Sequence, residues 1–326
     1  MNFAQLALNN GGCIRPLIIP IEELNGPAIT NPSVLIYKNK ILVNLRNINY
    51  TLYHSELNRF EHIWGPLSYV HPENDNHLRT TNYIAELNEN LDIVSCLKID
   101  TSKFDNYEPQ WDFVGLEDVR LVEWDGILYG IGVRRDLDNI GTGRMEISEF
   151  EISNTHIKEV FRYRVPGPEP DDEYCMKNCT PILDKPFHLL KWTNPTNLMT
   201  FDPFKRENNT YVYETSPYIP GYNDMRGGSQ IIPYADGYLT IIHETEMCSS
   251  ERGKKDGIYR HRFIVWDKNF KIKKISSLFS FLNMKIEFCC GIAEYYNDFL
   301  ITFGAQDNTG YILKISKSLV WEFIYE

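Results

Sequence analysis

The run Gly115-Leu116-Glu117-Asp118-Val119-Arg120 sets two adjacent carboxylates beside a guanidinium group. Carboxyls so placed can carry acid–base chemistry. Inverting glycosyl transfer needs that: an acid on the leaving oxygen and a nucleophile at the opposite face of the sugar. Cationic and polar side chains recur next to other apolar runs: Arg46, Arg134 and Arg135, Arg144, Lys177-Asn178, Arg226 and His243. Arginine suits bidentate contact with an anion, and lysine serves as a point charge. Charges gathered at the mouth of an apolar scaffold need a polar guest to offset their desolvation. Each residue also has a purely structural reading. Glu117, Asp118 and Arg120 can form an ion-pair and turn network, Arg134 and Arg135 can be solvated, and His243 can be a hydrogen-bonded core histidine. Of the tryptophans, Trp111 in a polar loop is the best candidate for stacking on a sugar ring. Core packing is the default for Trp124, Trp192 and Trp266.

Positioning these residues requires a repeat. Five segments share one pattern, a polar entry, an apolar strand, a short turn and a second apolar strand, at 31–46, 117–133, 179–192, 228–244 and 290–305. The turns read Lys38-Asn39-Lys40, Asp125-Gly126, Asp184-Lys185-Pro186, Asp236-Gly237 and Asn297-Asp298, residues that tolerate hairpin geometry. Further strand-like runs fill the gaps, so each unit offers about four strands, the size of one propeller blade. A blade cannot bury both faces alone, so the copies must pack round a common axis. The expectation is an all-β five-bladed β-propeller, with residues 1–326 as a single catalytic-type domain and the polar entries converging on a central funnel. A two-sheet sandwich is the main rival. The irregular stretches at 100–111, 165–178 and 245–258 read as loops over one rim.

Composition narrows the function classes. A net charge of −11 over 326 residues argues against a nucleic-acid backbone binder. The sequence shows no basic leader followed by a long apolar run and nothing near the ~20 apolar residues of a membrane span. Seven cysteines without metal-ligand spacing read as reduced thiols, so a cytoplasmic protein without a metal is expected. No Gly-rich phosphate loop, Rossmann fingerprint, Gly-x-Ser-x-Gly elbow or zinc-ligand pair occurs.

GLEDVRL resembles the GxEDPR signature of glycoside hydrolase family 130, inverting β-mannoside phosphorylases and related hydrolases on five-bladed propellers. The resemblance continues in order. Leu42–Arg46 is similar to the family's first-blade strand ending in Arg, and Gly143-Arg144-Met145-Glu146-Ile147 to the strand after the signature. Met176-Lys177-Asn178 looks like its Lys-Asn element, the strand ending at His243 like its Tyr-His strand, and Phe288-Cys289-Cys290-Gly291 like its Phe-Pro-Cys-Gly. Val119 and Cys289 stand where the family has proline. The resemblance implies Asp118 as general acid, acting directly or through a sugar hydroxyl, with Glu117 beside it. Arg46, Arg120, Arg134, Arg144, Lys177, Asn178, Arg226, His243 and Trp111 are, taken with the residue reading above, the candidate contacts to sugar or phosphate. The expected partner is a carbohydrate, with inorganic phosphate or a sugar phosphate as co-substrate and no other cofactor. A hydrolase would instead need a base for water, for which Glu117, Glu244 and Glu287 are available. Nucleotide-sugar transfer and glycan binding without catalysis remain as alternatives.

Overall fold

In a computed structural model of the protein the repeat becomes a series of antiparallel sheets. The structure describes all residues except 20–27, 54–59, 62–67, 71–74, 76, 168–174, 206–209, 223 and 250–254. The protein is all-β, and among the described residues the only helices are Phe3–Asn9 and Lys317–Tyr325. Strands Ala28–Tyr37, Lys40–Ile48, Leu78–Leu87 and Ile93–Asp100 pair in sequence. Strands Glu117–Trp124, Ile127–Arg134, Arg144–Ile152 and Ile157–Arg164 do the same, and a short parallel contact of Ile157 with Ile99 joins the two groups. Two further four-stranded sheets run from Thr180–Pro181 to Tyr211–Ser216 and from Ile232–Tyr234 to Ile272–Ile275. The last sheet takes Glu287–Tyr295, Asp298–Ala305 and Thr309–Ser316 from the C-terminal region and its fourth strand, Cys13–Leu17, from the N-terminal one. That pairing spans almost the whole chain and covers what would otherwise be a bare sheet edge.

Local sequence explains the hairpins. Lys38 and Asn39 have φ of 49° and 64°, and Asp125 and Gly126 have 53° and 80°, the paired positive values that two-residue hairpins require. Two turns fall one residue earlier than the sequence suggests. The loops between Tyr234 and Gly237 and between Tyr295 and Asp298 are residues 235–236 and 296–297, with Ala235 and Tyr296 at positive φ. Gly237 is thereby a strand residue, and a Cβ there would run into the Trp266 carbonyl. Its glycine serves close strand approach.

The region 245–258 is a second correction. Its described residues are the outer halves of two long paired strands, Gly237–Ser249 and Lys255–Asp267, in register from Thr245–Tyr259 to Ser249–Lys255. The alternation of Thr245, Met247, Tyr259 and Gly257 on one face is a strand signal, masked in the sequence by the charged residues around it. Residues 250–254 lie outside the described residues, as do 168–174 of the loop expected at 165–178.

The first strands of several sheets are linked by one side chain. Gln230 is fully buried. Its amide donates to the carbonyls of Val34 and Leu121, each at 2.9 Å, and its oxygen accepts from Ile292 N–H at 3.1 Å. Two strands of the nine-stranded sheet, the last sheet and the segment leading into Ile232–Tyr234 are therefore tied at one point. Gln230→Ala should destabilise the fold by about 3 kcal/mol, roughly 1 kcal/mol for each hydrogen bond lost inside the protein. A shift in urea midpoint corresponding to less than about 1 kcal/mol would show that the knot is dispensable.

Candidate active site

Three inner strands carry an irregularity at the same level. The register skips between Thr30 and Ser33, between Glu117 and Arg120, and between Cys289 and Gly291. A β-bulge of this kind bends the strand and re-aims a side chain. Asn31 and Asp118 sit in the first two bulges with φ of 45° and 52°, and Asn178, at the start of the third repeat, has 60°. Asn and Asp tolerate the left-handed region better than other residues with a Cβ, which accounts for their presence at these positions.

The bulges bring Asn31 and Asp118 into contact. Asp118 Oδ1 accepts from Asn31 Nδ2 at 2.8 Å and from Arg46 Nη1 at 2.7 Å. Arg46 is 4% exposed and is the hub of the site. Its Nη2 donates to Glu117 Oε2 at 3.1 Å and to Tyr50 Oη at 3.0 Å, and its Nε to Thr80 Oγ1 at 3.2 Å. Four of its five donors are thus used. Asp307 completes the group from the last sheet. It is half-buried, near enough to Arg46 to feel its charge, and accepts from Thr30 Oγ1 at 3.3 Å.

The two aspartates are driven apart. Burial works against the charge of Asp118, but Arg46, the Asn31 amide, Arg120 and Lys177 outweigh it and hold the carboxyl below the usual range. Burial raises Asp307; Arg46 pulls it back, while Asp118 and Glu117 repel its charge, and it ends above the usual range. Carboxyls with opposed shifts in one site are a mark of divided acid and base roles. Tyr259, raised to about 12 by burial and by Asp307 and Asp118, stays protonated beside them.

Next to this group lies a cavity of about 300 Å³ lined by Cys175, Lys177, Asn178, Lys191, Trp192, Asp224, Arg226 and Gly227. Lys177 faces both places, because its charge is felt by Asp118 and it lines the cavity. Arg226 Nε donates to Asp224 Oδ1 at 2.7 Å. His243 is 2% exposed, bonded through Nδ1 to the Gly227 carbonyl at 3.1 Å and stacked on Tyr259. Burial first, and then the cations Arg226, Arg120 and Lys177 and the penalty of a second charge beside His261, push it well below its usual pKa, so it is neutral. It supports the wall of the cavity and cannot act as a cationic clamp.

Several sequence-derived candidates have other tasks. Arg134, expected on an anion, is 1% exposed and engaged by Glu146 at 2.7 Å, Tyr107 Oη at 3.0 Å and Asp105 at 3.2 Å. It belongs to a buried charge network with Arg162 and Glu159. Arg120 is also 1% exposed; Nε donates to Gly228 O at 2.6 Å and Nη1 to Asp118 O at 2.9 Å, so it fixes backbone. Arg144 Nη1 donates to the Gly143 carbonyl at 3.0 Å, and the side chain does not line the cavity. Trp111 packs against the cluster of Tyr50 and Phe113, with Gly141 laid over its ring. Glu244 is tied to Arg262 at 2.6 Å. Glu287 accepts from the backbone N–H of Phe281, Leu282 and Met284 at 2.5–2.8 Å, anchoring a loop. Neither is free to activate water.

Sequence reasoning missed Asp307, Tyr259 and Lys191 as parts of the site, and noted Asn31 only as a repeat entry. Asn31 was accessible by aligning repeats, since it occupies the bulge position that Asp118 holds in the next copy. Asp307 had no such signal, because it lies in a turn after a strand and joins the site only through the fold.

No protein-family model matches the sequence, and no curated protein matches it. Solved structures do. A β-1,2-mannobiose phosphorylase from Listeria innocua, in complex with β-1,2-mannobiose, is 13% identical with a TM-score of 0.54, covering 96% of both chains. A structure from work on glycoside hydrolases in the GH130 family of mannoside phosphorylases, which target β-1,2-mannosidic linkages in Candida mannan, is 13% identical with a TM-score of 0.62, covering 93% of this chain and 92% of that one. A mannose phosphorylase from Leishmania mexicana, in complex with phosphate ion, is 10% identical with a TM-score of 0.54, covering 98% of this chain and 93% of that one. At these identities the likeness is one of fold.

Proposed function

We propose that the chain is a carbohydrate-active enzyme that breaks or makes a β-mannoside-like bond by inverting phosphorolysis or its reverse, on a single five-bladed propeller. The sheet order supports five blades of four strands, the last closed by Cys13–Leu17. The names of the similar structures support the substrate class. The observation that carries the reading is the placement of Asp118, whose carboxylate is set on a bulge, paired with Arg46 and within the field of Lys177, itself at a cationic cavity.

In the synthetic direction, the ionised Asp118 takes the proton of an acceptor hydroxyl, directly or through a neighbouring sugar hydroxyl. The acceptor oxygen bonds to the anomeric carbon as the bond to phosphate breaks, and phosphate leaves with its electron pair. In the phosphorolytic direction Asp118 must carry a proton. Lys177 helps hold Asp118 ionised. A phosphate seated on Lys177 cancels that pull, and a sugar displaces water from the carboxylate, so both raise its pKa when acid is required. Glu117 and Asp307 then flank the reacting group, and Tyr259 offers a donor. Asn178 and Arg226 assist Lys177 at the anion.

The test offers mannose 1-phosphate with a panel of sugar acceptors to wild type and to Asp118→Asn, and follows phosphate release. Release by wild type, reduced about 10²–10⁴-fold in the variant, is expected. Undiminished release by the variant would remove Asp118 from the chemistry. Silence from both, with sugar binding intact, would favour a glycan-binding propeller.

A further inference from the structure

We infer that Tyr211–Ser216, the outer strand of the sheet that begins at Thr180–Pro181, pairs with the same strand of a second copy of the chain. The two strands run antiparallel about a two-fold axis at Val212, so that one sheet continues through a homodimer.

The bare edge comes first. Tyr211–Ser216 pairs with Thr196–Thr200 on one side and, among the described residues, with no strand on the other. Unpaired N–H and C=O groups along such an edge are a template for a further strand. Thr215 Oγ1 donates to the Phe270 carbonyl at 3.1 Å, and Ser216 Oγ accepts from Ile272 N–H at 3.4 Å, so the C-terminal end of the strand is tied down. Residues 211–214 are the open part, and all four are exposed.

The other outer strands carry features that discourage pairing. Cys13–Leu17 contains Arg15 and Pro16, and proline has no N–H to give. Ile272–Ile275 has Lys273 and Lys274 among its residues. Ile93–Asp100 and Ile157–Arg164 meet each other at Ile99 and Ile157, and they carry the exposed charges of Lys98, Asp100 and Lys158. By contrast, Tyr211–Ser216 has one charged residue, Glu214, and leaves Tyr211, Val212 and Tyr213 66%, 37% and 43% exposed.

Self-complementarity then selects the occupant. Tyr211-Val212-Tyr213 reads the same in both directions, so antiparallel pairing centred on Val212 sets each Tyr211 opposite Tyr213 of the other copy. Aromatic pairs directly across a ladder are favourable and like charges are not; here Glu214 falls opposite Thr210 and never opposite itself. A two-fold interface requires this match of a patch with itself. At about 200 Å² per tyrosine, the two on each copy leave about 220 Å² to cover, well below the about 800 Å² per partner of a standard stable complex. The dimer is therefore weak and forms only at high concentration.

Sedimentation velocity of the full chain over a concentration series, with wild type and Val212→Lys, tests this. Wild type should pass from monomer to dimer as concentration rises from micromolar toward millimolar. Val212→Lys, whose charges meet at the axis, should weaken association about ten-fold or more with the melting temperature unchanged, since the residue is exposed. Monomers throughout would overturn the inference, as would a dimer that Val212→Lys leaves equally strong. Cross-linking with oxidised glutathione reads the register. Cα atoms directly opposite lie within reach of a disulfide, whereas diagonal ones, about 7–8 Å apart, do not. Val212→Cys should give a covalent dimer above the wild-type background, and Tyr213→Cys should not. Equal yields at the two positions, or none at either, would overturn pairing centred on Val212.

Discussion

Arg46→Met should destabilise the protein by about 3–5 kcal/mol at neutral pH, the usual cost of removing one partner from a buried ion pair. The hub makes the effect large. Arg46 is 4% exposed and bonds Asp118 and Glu117, and its charge also pulls on Asp307. Without it, three carboxyls are left to repel one another in a site that burial has partly dried. The variant carries its own signature. Protonation relieves the repulsion, so its deficit should shrink between pH 7.5 and about pH 4.5, as carboxyls raised by the loss of the cation take up protons. Urea midpoints of wild type and variant across that range would show it. A deficit below about 1 kcal/mol, or one independent of pH, would mean that Arg46 is not the charge holding the site together.

The second large effect is acid lability. His261 is fully buried and burial, with Arg260, pushes it down to about 3; His243, 2% exposed, is also driven well below its usual value. Both are neutral in the fold, whereas in the unfolded chain each protonates near pH 6.5. Because these pKa values are depressed by folding, their stabilising contribution is whole above about pH 6.5 and is lost as pH falls toward the folded values. The loss is about 1.4 kcal/mol per pH unit for each histidine, so His261 alone should cost about 3 kcal/mol by pH 4.5, with His243 adding to it in the same direction. Asp307 and Glu287, both raised in the fold, offset part of this by taking protons in the native state. His261→Phe should flatten the slope of stability against pH by one proton in that window. His261 Nε2 accepts from Cys289 N–H at 3.3 Å, so the variant's absolute stability falls for a separate reason and the slope is the quantity to read. An unchanged slope would show that His261 is already charged in the native protein.

Much of this was legible in the residues themselves. The recurring apolar pairs with Asp-Gly and Asn turns dictate hairpins, because only such residues accept the positive φ at Asn39 or Asp125 cheaply. The polar entry at Glu117-Asp118 marked the site, since carboxylates opening an apolar strand have no structural reason to be desolvated without a partner. Where strand periodicity was hidden by charge, as at 245–249, the reading failed, because period-two alternation over so few residues is drowned by the solvent-facing Glu246.

Residue order alone pointed to repeated antiparallel hairpins and to Asp118 as the candidate acid. The tertiary structure decided which of many charged residues share that acid's surroundings. Arg46 and Arg134 look alike in sequence, each ending an apolar strand. One meets Asp118 and Glu117 at the site, and the other is closed in by Glu146, Asp105 and Tyr107. Asp307 reaches the group only because the last sheet lies against the first. Electrostatic partnership falls off within a few ångströms of contact, and contact between residues hundreds of positions apart is a property of the folded chain, not of local pattern.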